Sequence, residues 1–236
     1  MKGLLYKDLT TNKGNIFGMA FVLSYMITFL GVSIEEVQNG NEGYGLVMTM
    51  LLGSVFAVNL LFPWLFFDAS IKDVKTKWNA YALALPGGYK RLIRSKYLLS
   101  IMGQTFAVIV SLVLIAVCKK VCSFEADMFI MFMLILMGIA LLITAILMPF
   151  VLKGKIGLVQ IIFWAVVVLT FYGLLAYAAL GDISFFKQGN LMLRIMTWIA
   201  KNEKKIWAIC WSAAVAGVLA EFISYVYTVK TYFEDK

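Results

Sequence analysis

Long apolar runs alternate with short polar segments along this chain. Runs of about 20 mostly apolar residues are long enough to cross the hydrocarbon core of a bilayer as helices. The pattern therefore predicts an all-α, polytopic membrane protein with a single transmembrane domain over residues 1–236. It also predicts a short interfacial helix over residues 1–15, where basic residues surround a few leucines. The six predicted spans are residues 16–34, 44–67, 97–117, 128–151, 157–177 and 206–227.

The longest polar interval, residues 68–96, separates the second and third predicted spans. Residues 72–85 within it predict a short amphipathic helix, which Pro86 and two following glycines would end. Asp73 and Lys77 lie four residues apart, so they can pair on the solvated face of that helix. The residues that share its apolar face are Val74, Trp78, Tyr81, Ala82 and Leu85. Such a helix docks either on lipid headgroups or on a soluble partner.

Composition strengthens the membrane assignment. The chain is 62% hydrophobic and 14% charged, with a mean hydropathy of +0.89. A soluble domain is about half apolar and about a quarter charged. The formal net charge of +8 could indicate a nucleic-acid partner, but the basic residues flank the apolar runs instead of forming one stripe. Contact with anionic lipid headgroups is the simpler explanation, so we expect membrane lipids and no nucleic acid as partners.

The distribution of charge predicts the orientation of the spans. An even number of spans puts both chain termini on the same side of the membrane. If that side is the cytoplasm, about two thirds of the 21 basic residues lie inside, in keeping with the positive-inside tendency. The acidic residues between the first two spans then face outward, and residues 181–205 form a basic outer loop whose role stays open.

No motif for catalysis or nucleotide binding occurs in the sequence. A GxxxxGK[ST] phosphate loop is absent, and the lack of histidine excludes HExxH metal sites and Ser–His pairs. We therefore expect no enzyme activity, no metal and no cofactor in this chain. Cys118 and Cys122, beside a membrane end, could form a disulfide if their turn is extracellular, or serve as small apolar residues.

Four polar residues inside the predicted spans are candidate cavity or gating residues. Asn59, Gln104 and Gln160 can line a transport path or bond neighbouring helices together. Glu221 is the only carboxylate well inside a predicted span, where it either faces a cavity or lies near the inner headgroups. The small residues that would let the last span approach a neighbour closely are Ser212, Ala216 and Ala220, with Ala213 and Gly217 beside them.

Two stretches resemble small ABC-type export permeases of the type-2 class. Residues 77–86 read KWNAYALALP and residues 95–97 read SKY, similar to the KW..Y..SLP.SRK.IV.SKY pattern that links the second and third helices in that family. The opening MKGLLYKD is also similar to the start of the family. The chain departs from the pattern at Gly87-Gly88 and at Val74. Within the class it looks like permeases of peptide and antimicrobial exporters, such as the phenol-soluble modulin exporters.

The resemblance implies the permease subunit of an ATP-driven exporter in a bacterial cytoplasmic membrane. It implies a dimer with an identical or paralogous permease, and separate ATPase subunits that bind ATP and Mg²⁺. The implied cargo is hydrophobic or amphipathic, with a peptide as the first candidate and a lipid or drug as the alternative. The non-transport alternative is a membrane scaffold or sensor with a basic cytoplasmic loop. The residues implied to couple the permease to its ATPase are Asp73, Lys77, Trp78, Tyr81, Leu85 and Pro86.

Overall fold

The computed structural model describes residues 2–38, 44–76, 88–122, 126–162 and 201–232, and the single positions 78, 165, 168 and 172. All regular secondary structure within these residues is helical, as the apolar pattern predicts. The helices are α1 Lys2–Thr11, α2 Lys13–Gln38, α3 Tyr44–Lys75, α4 Gly88–Cys122, α5 Asp127–Leu152 and α6 Glu203–Thr231. Residues 156–162 are helical as well.

Several of these helices are long and apolar enough to cross a membrane. The four that meet both criteria are Val47–Lys75, Gly88–Lys120, Asp127–Leu152 and Glu203–Thr231. α2 contains a shorter apolar stretch, Ile16–Val32, at the position of the first predicted span. The fifth predicted span, residues 157–177, lies largely outside the described residues, so the total of six spans stays a prediction.

Helices α3 and α4 reach further into the polar interval than the predicted second and third spans do. α3 continues past Asp68 to Lys75, and α4 already begins at Gly88. The predicted amphipathic helix therefore starts as the last turn of α3, while residues 79–87 lie outside the described part. Hydropathy drops at the first charged residues of α3, but the helix continues because these residues form ion pairs. Lys72, for example, pairs with Asp68 one turn earlier at 2.8 Å.

α5 and α6 approach each other closely through glycine. A Cβ atom on Gly138 would lie 2.5 Å from the carbonyl oxygen of Ala213, and one on Gly217 would lie 2.9 Å from the carbonyl oxygen of Gly138. Backbone atoms cannot yield as a flexible side chain can, so these positions accommodate only glycine without a shift of the helices. This contact fixes the relative position of the two helices.

The buried face of α6 lies beside the predicted stripe of small residues. The buried residues recur every three or four positions: Cys210, Ala214, Gly217, Glu221, Ser224 and Thr228. Of the predicted small residues, Ser212 and Ala216 are exposed, whereas Ala213 and Gly217 beside them make the close contact with Gly138 of α5. Small residues occupy two neighbouring faces of this helix. The polar residues that follow Gly217 on the buried face are Glu221, Ser224 and Thr228. They determine which face is buried, because polar side chains are unfavourable in contact with lipid.

Candidate functional site

Four charged side chains meet where α1 contacts the end of α3 and the beginning of α4. Lys96 on α4 is only 1% exposed, and its Nζ donates hydrogen bonds to Asp8 Oδ1 at 2.8 Å and to Asp73 Oδ2 at 2.6 Å. Lys7 also pairs with Asp73, and its Nζ lies 3.6 Å from Asp8 Oδ1. We call Lys7, Asp8, Asp73 and Lys96 the charge cluster, and the end of the helix bundle that carries it the α1 end. The charge cluster joins three helices that are far apart in sequence.

The charges of the cluster balance one another. A buried ammonium is unfavourable unless carboxylates surround it, and here two carboxylates face two lysines. Burial raises the pKa of the Asp8 carboxyl above its usual value, and the neighbouring Lys96 opposes this rise. Removal of Lys96 or of either carboxylate would therefore leave an unbalanced charge in a buried position, whereas Lys7 is partly exposed.

Trp78 connects the charge cluster to the segment that follows α3. The Lys7 Nζ lies 4.6 Å from the centroid of the Trp78 ring, a cation–π contact. Lys72 adds a second tie at this end, because its Nζ donates a hydrogen bond to Asn12 Oδ1 at 3.1 Å. A displacement of Trp78 would therefore act on α1 and, through the carboxylates that Lys7 and Lys96 share, on α3 and α4.

A groove of about 680 Å³ lies between α4, α5 and α6. Glu221 forms part of its wall, and Thr144 Oγ1 donates a long hydrogen bond of 3.3 Å to Glu221 Oε2. Near the α1 end, the Tyr97 hydroxyl lies 2.7 Å from Ser224 Oγ and 2.9 Å from Thr228 Oγ1. The groove thus has mostly apolar walls with polar groups at defined positions.

A second polar contact crosses from α3 to α4. Asn59 Nδ2 donates to Ser111 Oγ at 2.8 Å, and Gln104 Nε2 donates to Asn59 Oδ1 at 3.2 Å. Gln104 also lines the groove together with Glu221, whereas Gln160 is exposed and is not among the groove residues. The structure therefore brings together three of the four predicted cavity residues around α4. Within the described ranges, no acidic or cysteine side chains converge as metal ligands do.

Nearly the whole chain is similar to a known protein family. The sequence model of the family described as ABC-2 family transporter protein matches residues 3–233 of this chain. The chain belongs to the ABC-2 transporter family. No curated protein and no solved structure matches it. Membership of this family and the apolar helices make the chain a multi-pass membrane permease component of an ABC transporter, with an ABC ATPase as its implied partner.

Two of the predicted coupling residues of this ABC-2 permease are described. Trp78 is half-buried beside Lys7, and Asp73 is buried in the charge cluster. The sequence predicts Asp73 on a solvated face, where it could pair with Lys77. The solvated position is wrong, because Lys7 of α1 and Lys96 of α4 enclose Asp73. Helical spacing predicts only partners on the same helix, whereas the partners of Asp73 lie on α1 and α4. The coupling residues outside the described part are Lys77, Tyr81, Leu85 and Pro86.

Three members of the charge cluster in this ABC-2 permease were not predicted as site residues. Lys7 and Asp8 lie before the first span, and Lys96 lies directly before the predicted third span. The predicted topology places all three, with Asp73, on the same side of the membrane. Charges of opposite sign at the same membrane level could therefore have indicated the cluster, although not its pairing.

Proposed function

We propose that this ABC-2 permease is the subunit of an exporter in a bacterial cytoplasmic membrane, and that the segment around Trp78 docks on the ATPase. The contact of Lys7 with Trp78, and the sharing of Asp73 by Lys7 and Lys96, carry the proposal. A docking segment transmits motion only if it is attached to the spans. The charge cluster supplies this attachment to α1, α3 and α4.

In this proposal the α1 end faces the cytoplasm, where ATP and the ATPase are found. The excess of basic residues on that side supports this orientation. ATP-driven closure of the ATPases would displace the Trp78 segment and, through the charge cluster, tilt α3 and α4. Transport requires that the ATPases bind two arrangements of the spans with different affinity, because equal affinity shifts no equilibrium. The permease itself is expected to hydrolyse no ATP.

The proposed cargo is hydrophobic or amphipathic, with a peptide as the first candidate. The apolar walls of the groove between α4, α5 and α6 and its few polar groups support such a cargo. A second permease, identical or paralogous, would complete the path across the membrane. A lipid or drug is the alternative cargo of the same assembly.

The docking proposal is tested by co-purification with a co-expressed ABC ATPase. We expect Trp78→Ala to reduce recovery of the ATPase at least tenfold, as loss of an aromatic interface residue typically does. Trp211→Ala is the matched control, because Trp211 is exposed on α6 and lies about 30 Å along the helix from its last residue, Thr231. Equal recovery with all three proteins would refute docking through Trp78. Failure of the wild type to recover any ATPase would favour the scaffold or sensor role.

A further inference from the structure

The groove follows one face of α4 from the α1 end into the bundle. From Arg94 to Ile109 it extends about 22 Å at the helical rise. Its volume of about 680 Å³ falls within the range of about 300–1,000 Å³ that is usual for sites of small organic ligands. The middle of the groove is lined mainly by aliphatic and aromatic residues, with Gln104, Thr105 and Glu221 as polar exceptions, and the cationic Arg94 lies at its α1 end. These dimensions suit a single long apolar chain.

Two acceptor oxygens beside this groove lack hydrogen-bond donors. Glu221 is 2% exposed, and its Oε1 atom accepts no hydrogen bond from any residue that the structure describes. The same holds for Oε1 of Gln104 within the described ranges. The hydroxyl of Ser100 is buried beside the Glu221 carboxyl and is the nearest candidate donor to it, but the two groups do not meet in full hydrogen-bond geometry. Buried acceptors without donors are unfavourable, so a donor supplied by a ligand would be favoured here.

We propose that this groove binds a single-chain cationic amphiphile, with its ammonium group at Glu221 and Gln104 and its chain along the apolar wall. The proposal deepens the proposed function, on which it rests for transport, by selecting ammonium-bearing molecules among the apolar cargoes. An ammonium group has three donors, and it neutralises a carboxylate that lies among apolar helices. The last torsion of a glutamate side chain is soft, so a small rotation turns Oε1 toward the groove.

The depth of Glu221 argues against a bilayer phospholipid as the occupant. Glu221 lies about 15 Å along α6 from its last residue, Thr231. The predicted span ends at residue 227, six residues or about 9 Å beyond Glu221, so this carboxyl lies inside the hydrocarbon core, which is about 30 Å thick, whereas the ammonium of a phospholipid stays at the headgroup level. A single-chain amine has no second chain or phosphate to hold its ammonium at the surface.

The test measures binding of dodecylamine, dodecanol and dodecyl sulfate to the full chain in phosphatidylcholine vesicles. We expect the wild type to bind dodecylamine at least tenfold more tightly than dodecanol, and dodecyl sulfate most weakly. Glu221→Gln keeps the shape of the side chain and should remove the preference for the amine, while Glu221→Asp should restore most of it. Glu203→Gln, an exposed carboxylate on the same helix, is the control and should change nothing. Equal binding of amine and alcohol by the wild type, or an unchanged preference in Glu221→Gln, would overturn the proposal.

A second measurement examines whether the groove is open to a ligand. Thr105→Cys, at an exposed groove position in a chain without its native cysteines, should react with N-ethylmaleimide. Dodecylamine should slow this reaction with Glu221 present, but not in the Glu221→Gln background. A cysteine that fails to react without amine would show that the groove is not open to water and reagent, and would refute the site. Neither measurement involves the ATPase, so failure here leaves docking through Trp78 standing.

Discussion

At the scale of single residues, Lys96 is the most constrained charge in the described structure. It is almost fully buried, and it binds carboxylates from two other helices. A buried ion pair adds little stability compared with apolar residues of the same size, but loss of one partner is strongly unfavourable. Lys96 therefore matters because its removal would leave Asp8 and Asp73 with only Lys7 as a counter-ion.

We expect Lys96→Met to lower the free energy of unfolding by about 3–5 kcal/mol. The double variant Lys96→Met with Asp8→Asn should recover part of this loss, because Lys7 and Asp73 then form a neutral pair. Thermal unfolding in detergent, followed by the helical circular-dichroism signal, measures both. Lys120→Met at the exposed far end of α4 is the control and should change stability by less than about 0.5 kcal/mol. A double variant less stable than Lys96→Met would contradict the balance of charges within the cluster.

At the scale of helices, the contact between α5 and α6 depends on small residues. Gly217 faces the backbone of α5, so an added methyl group would force the helices apart. We expect Gly217→Ala to lower the unfolding free energy by about 1–3 kcal/mol, the usual effect of overpacking. The same detergent melt measures this variant.

Gly53→Ala on α3 is the matched control for this substitution. Gly53 has open space where a Cβ would be, so alanine should raise stability by about 0.5–1 kcal/mol through helix propensity. Similar effects of the two substitutions would show that the close approach of α5 and α6 does not determine stability.

The sequence predicts helices well where they are purely apolar and poorly where charges are buried. The predicted span at residues 128–151 agrees with α5, Asp127–Leu152, to within a residue at each end. The predicted spans stop short of the ends of α3 and α4 because Asp73 and Lys96 look solvated in sequence and become buried only through each other and α1. For Glu221, the sequence left a cavity and the headgroups as alternatives. Its burial against Thr144 from α5 depends on packing that no single helix reveals.

At the scale of the whole molecule, the proposed mechanism requires the α1 end to face the cytoplasm. Lys13 is exposed near that end, and Lys120 is exposed at the opposite end of α4. In chains without native cysteines, we expect Lys120→Cys to react with a membrane-impermeant maleimide in intact cells. Lys13→Cys should react only after permeabilisation. The reverse result would place the charge cluster outside the cell, where no ATPase could act on it.

We expect the charge cluster to transmit motion as well as to stabilise the fold. A substitution of Lys7 can distinguish these two roles. Lys7 is partly exposed and contacts Trp78, while Lys96 alone can still bind both carboxylates when Lys7 is replaced. We expect Lys7→Gln to fold and to co-purify with the ATPase, because neither the Trp78 side chain nor the contacts of Lys96 are removed. Cargo-stimulated ATP hydrolysis in vesicles should fall by about tenfold, the effect of about 1.4 kcal/mol of lost coupling. Lys7→Arg, which retains the cation over the ring, should keep most of the stimulation, and Lys13→Gln at an exposed neighbouring position should keep all of it. Full stimulation in Lys7→Gln would mean that motion of the Trp78 segment reaches the spans without the charge cluster, through the chain that connects α3 to α4.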